Sequence, residues 1–285
     1  MTSPPAASTS ALSGVIGAVG IAALCVVAAL IGQAALVVPV LGAQVLLVLG
    51  WYSVIGVPGW ELGAGLAIGC GLVGDLAMVV RGDDPSLGPL AGVLGPGVLG
   101  AIAVQLLRRD GRARLTASIT AACTAAVLSV LGATLVAERG STQGRAVTVV
   151  AVVAAGVATA VLASPMRAEV AEALAVPAAV LVAGVLAGPV GDLEIWHVLV
   201  IAFAAAVLAA AGRRAAAFAA YDLAHRPLQP AAEGAGGGRA AGRAARRAAA
   251  REARRSGDAI LVLGSALPFV LASPASYVLG RLLVG

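Results

Sequence analysis

The sequence predicts an all-α, polytopic transmembrane helix bundle of about nine spans, with eight to ten compatible with the pattern. Three observations carry this reading. The chain of 285 residues is 60% hydrophobic and 12% charged, with a mean hydropathy of +0.99. A soluble domain carries about 25% charged residues, and one water-soluble core of this size could not take up so much apolar surface. Apolar runs near 20 residues recur from end to end, the length a helix needs to cross a bilayer core of roughly 30 Å. Finally, the runs lack the alternating period of barrel strands. Only helices and closed barrels satisfy their backbone in lipid, so helices remain.

The first ten residues read as a short polar tail. The apolar stretch behind them has no basic region in front and is too long for a signal peptide, so it reads as a retained first helix. The spans then fall near 11–31, 35–55, 62–80, 88–107, 116–136, 146–164, 174–191, 196–212 and 259–282. Residues 11–212 thus form a bundle of about eight spans, 213–258 a basic loop, and 259–285 the last span and C-terminus.

Arginine placement orients the chain, because cytoplasmic loops hold the excess of basic residues. All nineteen basic residues are arginine. Fifteen fall on one side: Arg108, Arg109, Arg112 and Arg114, then Arg167, then the ten between Arg213 and Arg255. Four fall on the other, Arg81, Arg139, Arg145 and Arg281. The expectation is a cytoplasmic N-terminus, a cytoplasmic 213–258 loop and an external C-terminus. Asp83, Asp84, Glu138, Asp192 and Glu194 then belong to outer loops. Trp51, Tyr52, Trp60 and Trp196 read as interface anchors.

Residues 226–256 hold eight arginines and two glutamates, a net +6 in a chain of net +5. The stretch "HRPLQPAAEGAGGG" reads as a linker. Beyond it, alanine and arginine favour a helix, with Ser256-Gly257 as its stop and Asp258 as the cap of the next span. Arg239, Arg243, Arg246, Arg247, Arg251, Arg254 and Arg255 cover about half the circumference of that helix. The opposite half lacks large apolar residues, which excludes a deeply inserted amphipathic anchor. These seven, with Arg108, Arg109, Arg112 and Arg114, are candidates for contact with anionic headgroups or phosphate. Nothing points to nucleic acid, because aromatic residues are not interleaved among the arginines.

Within the spans, Asp75 is the leading polar candidate, since ionisable residues in a membrane are costly. It lies about five residues from the outer end of its span, near enough to reach the interface. Gln44 and Gln105 call for interhelical partners. "GLVGDL" (71–76) has an echo in "GPVGDL" (188–193), the mark of a parallel duplication or of chance in so narrow a composition. Gly95 to Gly100 form a formal GxGxxG inside a span, where it cannot be a dinucleotide site. These glycines, with Gly65 and Gly69, suit close helix contact. Pro39, Pro96, Pro177, Pro268 and Pro274 mark sites for kinks. The hydroxyls of span five can bond back to their own helix, and Arg281 can snorkel to the outer face.

Cys25, Cys70 and Cys123 stand alone in apolar runs, and His197 and His225 are far apart. No metal-ligand spacing emerges, and no cofactor is expected. "DGRAR" (110–114) resembles the "DGxxAR" opening of CDP-alcohol phosphatidyltransferases. One residue of that motif is missing, and span five has no carboxylate to hold divalent cations. A second resemblance is broader. "AVQLLRRDGRARLTASI" and "YVLGRLLVG" resemble segments of multi-pass membrane proteins from high-GC actinobacteria, whose functions are mostly unassigned. That resemblance implies a bacterial plasma membrane and brings no catalytic residues.

The expected partner is the lipid bilayer, anionic lipids included. The expected role is a transporter-like or structural membrane component. The alternative is a membrane enzyme acting on lipid or lipid-linked phosphate, supported by the arginines of "RRDGRAR". Scarce acid–base residues argue against an enzyme.

Overall fold

A computed structural model of the chain describes residues 7–57, 59–82, 86–107, 114–189, 193–225 and 239–284. Ten α-helices are found among them: α1 (Ala7–Ile31), α2 (Gln33–Ile55), α3 (Trp60–Arg81), α4 (Gly88–Leu106), α5 (Leu115–Gly132), α6 (Thr134–Arg139), α7 (Gly144–Ala163), α8 (Ala168–Ala187), α9 (Ile195–His225) and α10 (Arg239–Leu283). No strand occurs among the described residues. Helices α5 and α6 share one span, and nine segments among the described residues are long and apolar enough to cross a membrane. The protein is an integral, polytopic membrane protein.

Small residues decide how the helices meet. Ala171, Ala175, Ala179, Ala183 and Ala187 repeat every fourth residue along α8 and are all buried. Helix α9 answers with buried Ala202, Ala205, Ala206 and Ala209. Lipid is as apolar as leucine, so helices associate through close packing, which small side chains permit. The large residues point the other way: Val38, Val80, Leu181, Val185 and Phe218 are largely exposed, as a lipid-facing surface requires.

Two segments are central. The membrane windows of α7 and α10 are 72% and 67% buried, against 28% for α1 and α8. Glycines bring neighbours onto them. Gly156 of α7 lies against Ala22 of α1, Gly50 of α2 against Leu263 of α10, and Gly212 of α9 against Pro268 of α10. Helices α3, α4 and α5 pack together beside this centre, joined to it through α2 and through α5, which itself meets α10.

The boundaries differ from the sequence expectation in three places. Helix α8 begins at Ala168, ahead of residue 174, and takes Glu169 and Glu172 into its first two turns. Helix α9 runs on to His225, so Arg213 and Arg214 belong to a helix rather than to a loop beginning at 213. Helix α10 passes through Ser256 and Gly257 without a stop. Its 45 residues extend to roughly 67 Å, about twice the bilayer core. The physical reason is common to all three. Hydropathy ends a span where charge begins, whereas alanine-rich backbone stays helical beyond the lipid.

Candidate functional site

The polar centre of the bundle is built by α2, α3 and α5. Gln44 is the middle residue of α2. Its Nε2 donates to Asp75 Oδ1 of α3 at 3.2 Å and to the backbone carbonyl of Ser129 of α5 at 3.0 Å. All three residues are fully buried. Asp75 therefore turns into the bundle, and of its two expected placements the one at the interface is not found. Burial behind α2 and α5 outweighs its nearness to the helix end.

The Ser129 carbonyl is free to accept because its helix tightens at Ala133, whose backbone stays helical at φ −66° and ψ −15°. The Ala133 N–H donates to Val130 O, three residues back, instead of to Ser129 O. Helix α5 ends at Gly132 and α6 restarts at Thr134. The Thr134 hydroxyl donates to Leu131 O at 2.7 Å, serving a second carbonyl at this turn. In lipid each such carbonyl needs a partner from within the protein, and Gln44 supplies one by reaching across from α2.

Two glycines make room for that amide. A Cβ on Gly71 would strike Gln44 Oε1 and press on Ser129 Cβ, and one on Gly132 would stand 3.1 Å from Gln44 Nε2. Gly71 lies one turn before Asp75, on the same face of α3. Three buried oxygens around this point, Gln44 Oε1, Asp75 Oδ2 and Ser129 Oγ, have no hydrogen-bond partner among the described residues. The Ser129 hydroxyl thus departs from the expectation that span-five hydroxyls bond back to their own helix. Together the three place a carboxylate among buried oxygens between α2, α3 and α5.

A second polar layer lies toward the α2–α3 turn. Tyr52 is buried and its hydroxyl sits over Gly63, with Gln105 Nε2 of α4 also 3.3 Å from the space a Cβ would fill there. Gln105 is fully buried, as Gln44 is. Tyr52 was expected as an interface anchor. Its ring instead turns inward, 6.1 Å from that of Trp60. Trp51 is tied by a bond from Nε1 to Ala121 O at 3.2 Å, while Trp60 and Trp196 stay exposed.

The end of the bundle nearer the tightened turn is also polar. Gln33 Nε2 donates to Met78 O and Val136 O, and Arg139 Nε donates to Ala29 O at 2.6 Å. These carbonyls belong to the last turns of α3, α6 and α1, where a helix runs short of its own donors, and Met78 O also accepts the Gly82 N–H. Glu138, expected in an outer loop, is buried against Gly280 and accepts from Ser141 Oγ at 3.3 Å. Arg281 stacks over Tyr277 at 5.6 Å.

The basic candidates divide. Arg108, Arg109 and Arg112 lie outside the described residues. Arg114 holds a left-handed backbone at φ 55° and donates from Nη1 to Gly56 O at 3.1 Å, pinning the start of α5 to the end of α2. Arg239, Arg243, Arg246, Arg247, Arg251, Arg254 and Arg255 lie on the helical backbone of α10. Of the glycines expected at helix contacts, Gly97 and Gly100 meet Cys70 and Leu66 of α3, but Gly65, Gly69 and Gly95 face open space. The "GLVGDL" and "GPVGDL" segments are not equivalent in place: the first lies within α3, while the second begins at Gly188, past the end of α8.

A void between α6, α7 and α10, lined by Leu135, Phe269 and Ser273 among others, measures about 10 Å³. That is room for about one water, and its walls are apolar, so it is not a substrate site. No cluster of three or more metal-ligating residues occurs among the described residues. Comparison with known protein families, with curated proteins and with solved structures finds no match.

Proposed function

We propose that the protein is a transporter-like component of a bacterial plasma membrane and that Asp75 is the group through which it engages a cation. One observation carries the reading: a buried carboxylate stands beside a tightened turn in a membrane-spanning helix, where Ala133 keeps a helical backbone but bonds three residues back. An irregular turn within a span frees a backbone carbonyl, and transporters use freed backbone groups to build ion and substrate sites. An ionisable residue turned inward among spans marks such pathways. The unpaired oxygens of Gln44 and Ser129 add acceptors beside the carboxylate. Scarce acid–base residues support a non-enzymatic role. The excess of arginines on one side supports a cytoplasmic N-terminus and an external C-terminus. The resemblance to actinobacterial multi-pass proteins supports the bacterial setting.

The test is current measurement on protein reconstituted in liposomes adsorbed to a solid support. Gradients of H⁺, Na⁺ and K⁺ are imposed in turn. The reading expects a transient current for one of them, lost in Asp75→Asn. Currents absent for all three, or unchanged by the substitution, would leave the polar centre as structural glue.

A further inference from the structure

Arg213 occupies a position that the polar centre does not explain. It lies within the apolar stretch Ile195–Ala219, six residues before its end. Its neighbour Gly212 lets α9 approach α10 closely, since a Cβ there would meet Pro268 backbone at 3.2 Å. That approach sends the Arg213 side chain between helices. Its guanidinium lies directly against Gly264 of α10, and its Nη2 stands 3.7 Å from the space beside Gly14 of α1. Ala163, the last residue of α7, and Leu261 close the same notch. The side chain is half-buried.

No acceptor serves this cation among the described residues. The adjacent Arg214 is paired, with Nη2 donating to Glu172 at 2.6 Å. Arg213 has no such carboxylate. Pro268 has no N–H to give the Gly264 carbonyl, yet no hydrogen bond joins Arg213 to that carbonyl among the described residues. A guanidinium carries five N–H donors in a fixed fork that matches phosphate oxygens. Left without an acceptor at membrane depth it is costly. The notch lies toward the end of the bundle shared by the start of α1, the end of α7 and the Arg214–Glu172 pair. Arg213 is six residues and Gly264 seven residues inside their apolar stretches, a depth from which an arginine reaches toward headgroups.

We propose that Arg213, in the notch between Gly14 and Gly264, binds the phosphodiester of an anionic phospholipid. The glycines leave room for the guanidinium between the helices, and it donates two N–H groups to the phosphate oxygens. Basic pockets between spans recognise anionic lipids in this way. The site is independent of Asp75, which lies in a different set of helices.

The test is thermal unfolding of the full chain in a neutral detergent, titrated separately with phosphatidylglycerol, phosphatidylcholine and inorganic phosphate. Wild type and R214Q should rise in Tm with phosphatidylglycerol alone. R213Q should need about tenfold more of that lipid for half the shift. If R213Q does not survive purification, R213K is read instead, since it keeps the charge and loses the fork; it should also bind more weakly. An equal phosphatidylglycerol response in wild type and the Arg213 variants overturns the proposal. So does a response to inorganic phosphate as large as that to the lipid, or no response at all.

Discussion

Gln44 Nε2 stands 3.2 Å from Asp75 Oδ1 and donates to it, tying the midpoint of α2 to α3 where α5 tightens. The same nitrogen serves the freed Ser129 carbonyl. One amide thus bridges three helices.

Removing that amide should be costly. Gln44→Leu leaves Asp75 Oδ1 and Ser129 O without their donor, at about 1–3 kcal/mol. Thermal or denaturant unfolding in micelles measures it. A double-mutant cycle with Asp75→Leu isolates the pair, and interhelical hydrogen bonds in membranes average about 0.6 kcal/mol with a maximum near 1.7. Additive losses would show that the two side chains do not act together.

The glycine contacts make a sharper contrast. Gly71→Ala forces a methyl into the space held by Gln44 Oε1, whereas Gly69→Ala meets nothing within 4 Å. Overpacking of this kind costs about 1–3 kcal/mol. Gly71→Ala should therefore lower the unfolding midpoint clearly, and Gly69→Ala should leave it unchanged. Equal effects would contradict the placement of the amide.

Helix α10 should be one rigid rod across the membrane boundary. Spin labels at Ala245 and Ile260 are separated by 15 residues of continuous helix, about 22 Å at 1.5 Å per residue. Pulsed dipolar spectroscopy should give one narrow distance near that value. A broad distribution would restore the stop at Ser256-Gly257.

The orientation is open to direct labelling. Single cysteines at 142 and 240, in a background lacking Cys25, Cys70 and Cys123, should react with an impermeant maleimide from opposite sides. The arginine count predicts that residue 240 is labelled from the cytoplasmic side. Labelling of residue 240 from outside intact cells would reverse the threading.

The helical class and the nine spans were legible in the sequence, because hydropathy alone determines which segments lipid accepts. Asp75, Gln44 and Gln105 were legible as unusual, since amides and carboxylates are rare in spans. Which of them meet was not. That depends on rotation of α2 against α3 and α5, and helices this uniformly apolar give no periodic stripe to set it. The tightened turn at Ala133 left a faint trace in Gly132 and Thr134, a glycine followed by a hydroxyl that can replace a lost helix bond. Arg213 was counted with a loop because its charge ends the hydropathy window. Only the packing of Gly212 on Pro268 shows that it returns into the bundle.

Carbodiimide labelling distinguishes an Asp75 that takes part in transport from one that seals a core. Membrane-embedded protein is treated with a hydrophobic carbodiimide and the modified carboxyls are located by mass spectrometry. The account predicts modification of Asp75 in the folded protein, since a transport group must become accessible during the cycle. It further predicts that the cation giving current slows this modification. An Asp75 that stays unmodified until the bundle is unfolded would contradict the account.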